Sequence, residues 1–156
     1  MRSLFVLLLA LAAILPALGC GGTSVAEAAE APIRVAMMAD SVVATDAWVR
    51  AGIDPTAAYT TLVNNGETEA TLTDVLSSDA RTAMIHRSTE RAGLQIMEHI
   101  AESSIPPGGT LTLAPGGLHI MLQQLEQPLI EGETVSVYLE FSDGSHLPVT
   151  AAARTK

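Results

Sequence analysis

The sequence predicts an all-β fold, an antiparallel β-sandwich formed by a single domain. Apolar and polar residues alternate at period two along several short stretches, most clearly in Thr134–Phe141, where every second residue is apolar. Turn-forming residues separate these stretches, as in Asn-Asn-Gly at 64–66 and Pro-Gly-Gly at 115–117. No stretch has the periodicity of an amphipathic helix of ordinary length. Many short strands joined by such turns are typical of a sandwich.

The first 19 residues have the pattern of a secretory signal. Arg2 precedes a short apolar stretch that ends in Ala-Leu-Gly-Cys at 17–20, which resembles the acylation site of a bacterial lipoprotein. We therefore predict a lipoprotein-type signal peptide at 1–19 and a lipid anchor on Cys20. The alternative is ordinary cleavage after Ala28, which would give a soluble secreted form. Both predict a domain outside the cytoplasm, in the periplasm or at the outer surface of the cell envelope.

Composition divides the rest of the chain into a tether and one domain. Residues 20–38 are rich in small residues and are predicted to be the tether. Residues 39–156 are enough for one hydrophobic core, and nothing in them repeats. The formal net charge of −9 disfavours nucleic acid and anionic lipid as partners. Contact with a membrane is therefore expected only through the lipid anchor.

Cys20 is the only cysteine of the chain, so the predicted domain contains no disulfide and no thiolate ligand. Its sequence also offers no nucleophile beside a base, no glycine-rich phosphate loop and no pair of carboxylates at a catalytic spacing. We therefore expect a protein that is not an enzyme. A blue-copper redox protein is also disfavoured, because its copper site needs a cysteine thiolate and the predicted domain contains none.

Four neutral side chains at fixed spacings predict a metal site. Ten residues separate His86 from Met97, twenty-one separate Met97 from His119, and one separates His119 from Met121. Imidazoles and thioethers without a thiolate suit Cu(I) far better than zinc, calcium or magnesium. We therefore predict that these four residues bind Cu(I). The ordinary alternative is that each Met fills a core and each His is a satisfied surface or core group.

Strand alternation separates the metal hypothesis from that alternative. Leu118, Ile120 and Leu122 are predicted to face the core, so His119 and Met121 share the opposite face. A methionine on that face has no packing role in the core. The alternation therefore favours a ligand role for this pair.

The stretch around residue 97 follows the same rule. Leu94, Ile96 and Ile100 are predicted to face the core, which leaves Met97 and His99 on the other face. A weaker pattern around residue 85 places Met84 and His86 together in the same way. Three predicted strands thus each carry a Met and a His two residues apart, all turned away from the core.

These residues resemble a known family, the periplasmic PCuAC-type copper chaperones. The family pattern is H-x10-M-x21-H-x-M, which His86, Met97, His119 and Met121 match residue by residue. The resemblance extends over about residues 40–153 and implies a cupredoxin-like sandwich. Further similar stretches lie at 46–50, 57–59, 105–110, 113–122 and 128–132. Met84 and His99 stand outside the pattern, either as exposed neighbours of the site or as auxiliary ligands.

The resemblance also implies a function. It indicates a Cu(I) metallochaperone that delivers copper for assembly of the Cu_A centre of cytochrome c oxidase. The partners that it implies are the copper ion, cytochrome c oxidase subunit II and a Sco-type thiol protein. A copper-buffering or resistance lipoprotein without a dedicated acceptor remains the alternative, because the residues predict a site and not a recipient.

Overall fold

The computed structural model describes residues 37–155, and the predicted signal peptide at 1–19 lies outside them. The described residues contain no helix, and hence none that could cross a membrane. Their strands are β1 Met37–Met38, β2 Val42–Arg50, β3 Thr56–Asn64, β4 Ala70–Ser77, β5 Ala80–Arg91, β6 Leu94–His99, β7 Ser103–Ile105, β8 Thr110–Leu113, β9 Leu118–Leu125, β10 Thr134–Phe141 and β11 Ser145–Arg154.

Hydrogen bonds join these strands in the order β6-β5-β9-β3-β2-β11-β10-β4-β7, with β1 added to β11 and β8 added to β3. All pairs are antiparallel except those of β11 with β1 and with β2. This confirms the prediction of a mainly antiparallel all-β fold. β1 falls at the end of the 20–38 stretch that was predicted to be the tether, and the rest of that stretch before residue 37 is not described.

The two ends of this strand order pack against each other and enclose one core. β4 contacts β5, and β7 contacts β3 and β8, although none of these pairs is adjacent in the order. The chain is therefore a sandwich with apolar side chains between its layers. The bulkiest fully buried apolar residues come from both layers: Leu62, Leu72, Ile105, Leu113, Leu122, Leu139, Val49, Val75, Val135 and Val137.

The period-two pattern of β10 explains how the sequence forms this core. Val135, Val137, Leu139 and Phe141 are at most 3% exposed, and the residues between them are exposed or half-buried. Burying a side chain of this kind stabilises the fold by roughly 1.5–3 kcal/mol before entropy is subtracted. The face predicted from the sequence is therefore the buried one.

The hairpin of β5 and β6 forms one edge of the sheet, because β6 pairs only with β5. Its two turn residues, Ala92 and Gly93, have φ of 53° and 77°. Positive φ at both positions is typical of a type I′ turn, whose twist matches that of antiparallel strands. Leu94 is 69% exposed, so the prediction that it faces the core is wrong. It lies at the turn end of an edge hairpin, outside the reach of the opposite layer.

Candidate metal centre

Strands β6, β5 and β9 lie side by side and carry all four residues of the predicted metal site. His86 on β5 is the Cα partner of His119 on β9. Met97 on β6 pairs with Ser88, which is two residues from His86 on β5. Met121 follows His119 by two residues on the same strand. Because side chains two apart share a face and direct partners share a face, all four lie on one face of the sheet.

The opposite face of the same strands is the core. Ile85 and Ile120 are 2% exposed and Leu122 is fully buried, as the alternation predicted. Met97, His119 and Met121 line a single depression of about 290 Å³ on the non-core face. The ring centroids of His86 and His119 lie 6.0 Å apart with an interplanar angle of 85°. The fold therefore gathers the four residues, although they come from three strands.

Burial differs sharply among these residues. His119 is 3% exposed and Met121 is 8% exposed, although both point away from the core. Met97 is 59% exposed. The depression therefore has a buried floor on the interior strand β9 and an exposed rim on the edge strand β6.

A backbone contact fixes the orientation of the His119 ring. The Nδ1 atom of His119 lies 3.1 Å from the carbonyl oxygen of Gly117, which also accepts a hydrogen bond from the Ser88 N–H at 3.0 Å. A carbonyl oxygen can only accept, so the ring proton belongs on Nδ1. This leaves Nε2 of His119 with a free lone pair, the arrangement found in metal-binding histidines.

His86 has no comparable partner. Its Nδ1 atom is buried and makes no hydrogen bond with the described residues. Burial lowers the pKa of the His86 imidazole below its usual 6.5, and the nearby His119 and His99 lower it further. A neutral imidazole is the form that binds metal, so this environment favours ligation.

Tyr59 belongs to the surroundings of the site and was not predicted to. It lines the same depression, is 5% exposed, and its ring centroid lies 6.4 Å from that of His119. The Trp48 ring packs against Tyr59 with centroids 4.4 Å apart. The pairing of Ala57 with Met121 explains this placement, because it puts β3 beside β9 with Tyr59 on the face of the metal site.

The two residues outside the four-residue pattern lie beside it. Met84 is the partner of Met121, and His99 is the partner of His86. The ring centroids of His86 and His99 are 5.9 Å apart. Met84 is half-buried and His99 is exposed, so both remain candidates for auxiliary ligation.

The fold and the candidate metal ligands together define a class of protein, a β-sandwich with imidazoles and thioethers clustered on one face. The chain belongs to the LpqE-like lipoprotein family, whose family model matches residues 42–153. It is 41% identical over 118 residues to "Putative lipoprotein Lxx21020" of Leifsonia xyli subsp. xyli. That alignment covers 74% of this chain and 71% of the relative.

Solved structures of PCuAC-type proteins have the same fold. The Cu(I) form of DR1885 from Deinococcus radiodurans is 34% identical with a TM-score of 0.59, over 76% of this chain and 83% of that one. The apo PCuAC domain of PmoF1 is 25% identical with a TM-score of 0.61, over 74% of this chain and 95% of that one. The resemblance to PCuAC proteins and to their cupredoxin-like fold is therefore confirmed.

Proposed function

We propose that this protein is an extracytoplasmic metallochaperone that carries Cu(I) on His86, Met97, His119 and Met121. The single observation that carries the proposal is the placement of all four side chains on one face of three adjacent strands. The Cu(I) form of DR1885 supports the choice of ion, since that protein is 34% identical to this chain. The ion is cargo, so the protein acts as a carrier and not as an enzyme.

The donor set accounts for both binding and release. Two neutral imidazoles and two thioethers are soft enough for Cu(I) but supply no negative charge to neutralise the ion. Thioether bonds to copper exchange readily, so an acceptor that offers a thiolate or an imidazole can take the ion. The 59% exposure of Met97 makes it the ligand that an acceptor would replace first.

The acceptor in this proposal is the copper site of cytochrome c oxidase subunit II, where Cu_A is assembled. A Sco-type thiol protein would take part as a second partner. The support is the PCuAC fold together with the resemblance of the His86, Met97, His119 and Met121 spacing to the pattern of that family. A copper-buffering lipoprotein would use the same site and would lack this transfer step.

An anaerobic Cu(I) titration of the full chain against a competing Cu(I) chelator tests the binding step. We expect one Cu(I) per chain, and a large loss of affinity in His119→Ala. His146→Gln is the matched control, because His146 lies on β11, outside the three strands of the site. Equal affinities for wild type, His119→Ala and His146→Gln would exclude the proposed ligands.

A transfer assay separates the chaperone from the copper buffer. The copper-loaded chain is mixed with the apo soluble domain of cytochrome c oxidase subunit II, with and without a reduced Sco-type protein. A chaperone should transfer copper faster than an equal concentration of the Cu(I)–chelator complex does. Transfer no faster than from the chelator would favour the buffering lipoprotein.

The proposed location depends on Cys20 and the segment before the domain. The lipoprotein names of the family and of the Leifsonia relative support a lipid-anchored envelope protein. We include in the proposal a signal peptide at 1–19, an acylated Cys20, a tether at 20–38 and a copper-binding domain at 39–156. Cys20→Ser should release the chain from membranes and leave copper binding intact. Unchanged membrane association in that variant would contradict acylation of Cys20.

A further inference from the structure

Three methionines lie on the non-core face of β5, β6 and β9, and they differ in their access to solvent. Met84 on β5 and Met121 on β9 are direct partners inside the sheet, where Met84 is half-buried and Met121 is 8% exposed. Met97 is 59% exposed on β6, which pairs only with β5. A small molecule in solution can therefore reach the Met97 side chain more easily than the other two.

Access matters because a thioether is readily oxidised. Peroxides convert methionine to methionine sulfoxide, and this replaces a flexible apolar side chain by a polar one. Cys20 is the only cysteine of the chain, so residues 37–155 contain no thiol that would react in place of the methionines. The thioethers are the only sulfur atoms in this part of the chain that a peroxide can oxidise.

We propose that Met97 is an oxidation site, converted selectively to methionine sulfoxide by hydrogen peroxide. A lone pair of the Met97 Sδ atom attacks one peroxide oxygen, so an S–O bond forms and the O–O bond breaks. The sulfur loses two electrons and the peroxide gains them. The proton of the transferred oxygen passes to the departing hydroxide, which leaves as water.

The surroundings of Met97 can accommodate the new oxygen, which is a hydrogen-bond acceptor. Ser88 is the cross-strand partner of Met97, and Gln95 precedes it by two residues on the same face. Both line the depression with Met97, as does Arg50, so hydroxyl, amide and guanidinium donors surround the rim. At buried Met121 an added oxygen would instead have to displace packed neighbours. The fold therefore favours sulfoxide at the rim over sulfoxide at the floor.

Oxidation at this position would switch the proposed carrier off. This consequence rests on the proposed function, in which Met97 is a ligand of Cu(I), whereas the oxidation itself does not. A sulfoxide no longer offers the soft thioether donor that suits Cu(I). Met97 is exposed, so its oxidation should leave the fold intact. The same exposure that lets an acceptor replace Met97 would thus make copper binding sensitive to peroxide.

Peptide mass spectrometry of the copper-free full chain tests the site. The chain is treated with hydrogen peroxide in the presence of a metal chelator, and sulfoxide is followed at each methionine over time. Met97 should be oxidised at least about fivefold faster than Met121, because their exposures are 59% and 8%. In urea the two rates should converge, since only the fold distinguishes them. Equal rates in the folded chain, or faster oxidation of Met121, would overturn the proposal.

Anaerobic Cu(I) titration after removal of the peroxide tests the consequence. Oxidation should lower the Cu(I) affinity of the wild type at least about tenfold, because even an outer-shell contact commonly contributes that much. Methionine sulfoxide reductases acting on both epimers should restore the affinity, which a damaged fold would not regain.

Two variants assign the loss to one sulfur atom. Peroxide should cause no further loss of Cu(I) affinity in Met97→Leu, which lacks the reactive sulfur. In Met84→Leu it should lower the affinity by the same factor as in the wild type. A peroxide-dependent loss that persisted in Met97→Leu would overturn the switch. An untreated wild type that failed to bind Cu(I) would refute the proposed function, and selective oxidation of Met97 would still stand.

Discussion

The interior strand β9 and the edge strand β6 supply ligands to the same proposed site in opposite environments. His119 and Met121 on β9 are 3% and 8% exposed, between β5 on one side and β3 on the other. Met97 on β6 is 59% exposed, on a strand with a neighbour on one side only. One strand holds its ligands as part of a packed face, and the other presents its ligand to solvent.

This difference assigns separate tasks to the two strands. A ligand fixed by packing and by a backbone hydrogen bond loses little entropy on binding, so it sets the position of the ion. An exposed thioether can leave the ion and be replaced without disturbing the core. A carrier needs both properties, because a wholly buried site would release copper slowly and a wholly exposed one would bind it weakly.

The largest expected effect comes from removing one thioether from each strand. Met97→Ala combined with Met121→Ala should abolish measurable Cu(I) binding. Loss of an outer-shell contact alone commonly costs 10–100-fold in metal affinity, so two direct ligands should cost on the order of a thousandfold or more. Competitive Cu(I) titration under anaerobic conditions measures the loss.

Zinc provides the control for that double variant. Thioether sulfur contributes little to Zn(II), so any weak zinc binding through His86 and His119 should hardly change. If the double variant retained its Cu(I) affinity, neither Met97 on β6 nor Met121 on β9 would be a ligand, and the four-residue site would be wrong. A parallel loss of zinc binding would instead indicate that the substitutions had damaged the fold.

The next largest expected effect is on the stability of the copper-free protein, which should fall more for a substitution on β9 than for one on β6. Truncation of buried Met121 to Ala should lower the free energy of unfolding by about 2 kcal/mol, at the low end for buried methionines because the depression lets neighbours relax. Truncation of exposed Met97 to Ala should change it by at most about 0.5 kcal/mol. Urea unfolding of both variants without copper measures the difference, and equal costs would show that the floor and the rim are not distinct.

The sequence predicted the faces of these strands because side-chain alternation is a local property. Ile85, Ile120 and Leu122 are buried as expected, and the predicted ligands lie on the other face. The burial of His119 on that second face was not predictable. It depends on Tyr59, which arrives from β3, a strand that is distant in sequence and becomes a neighbour only through the sheet order.

His99, His86 and His119 form a row across β6, β5 and β9, and this row shows the same limit. His99 stands opposite His86 because a two-residue turn at Ala92 and Gly93 places each six residues from the turn. Ala-Gly is a weak turn signal in sequence, so this register could not be deduced with the strands. His119 joins the row only because β9 pairs with β5, although β6, β7 and β8 intervene in the chain. Spacing in sequence therefore predicts a set of candidate ligands, but it does not predict which side chains lie next to each other across the strands.

Acidification should have a smaller, graded effect, centred on His86. Burial and the neighbouring His119 and His99 lower its pKa in the folded protein below 6.5, so between the two pKa values the unfolded chain binds more protons. The stabilising contribution of neutral His86 is therefore complete above pH 6.5 and is lost as pH falls below it. Proton competition with copper at His86 should likewise begin below 6.5 and approach tenfold per pH unit.

Histidine ring signals in an NMR titration of the copper-free chain measure this directly. The His86 midpoint should lie below 6.5, and His99→Gln should raise it, because that substitution removes one of the charges that oppose protonation. A His86 midpoint at or above 6.5 would contradict the buried, neutral state assigned to this ligand.

The smallest expected effect is a change in Trp48 fluorescence. It tests whether copper binding is sensed at Trp48 through β9, the floor of the depression, and not through β6. Trp48 is the only tryptophan, and its ring packs on Tyr59, which packs towards His119 on β9. Copper at His119 should therefore alter Trp48 emission modestly. Met97→Leu, at copper concentrations high enough to fill its weakened site, should show the same change. His119→Asn should show no copper-induced change in Trp48 emission. If the change were lost in Met97→Leu and kept in His119→Asn, the emission would instead respond to copper through β6.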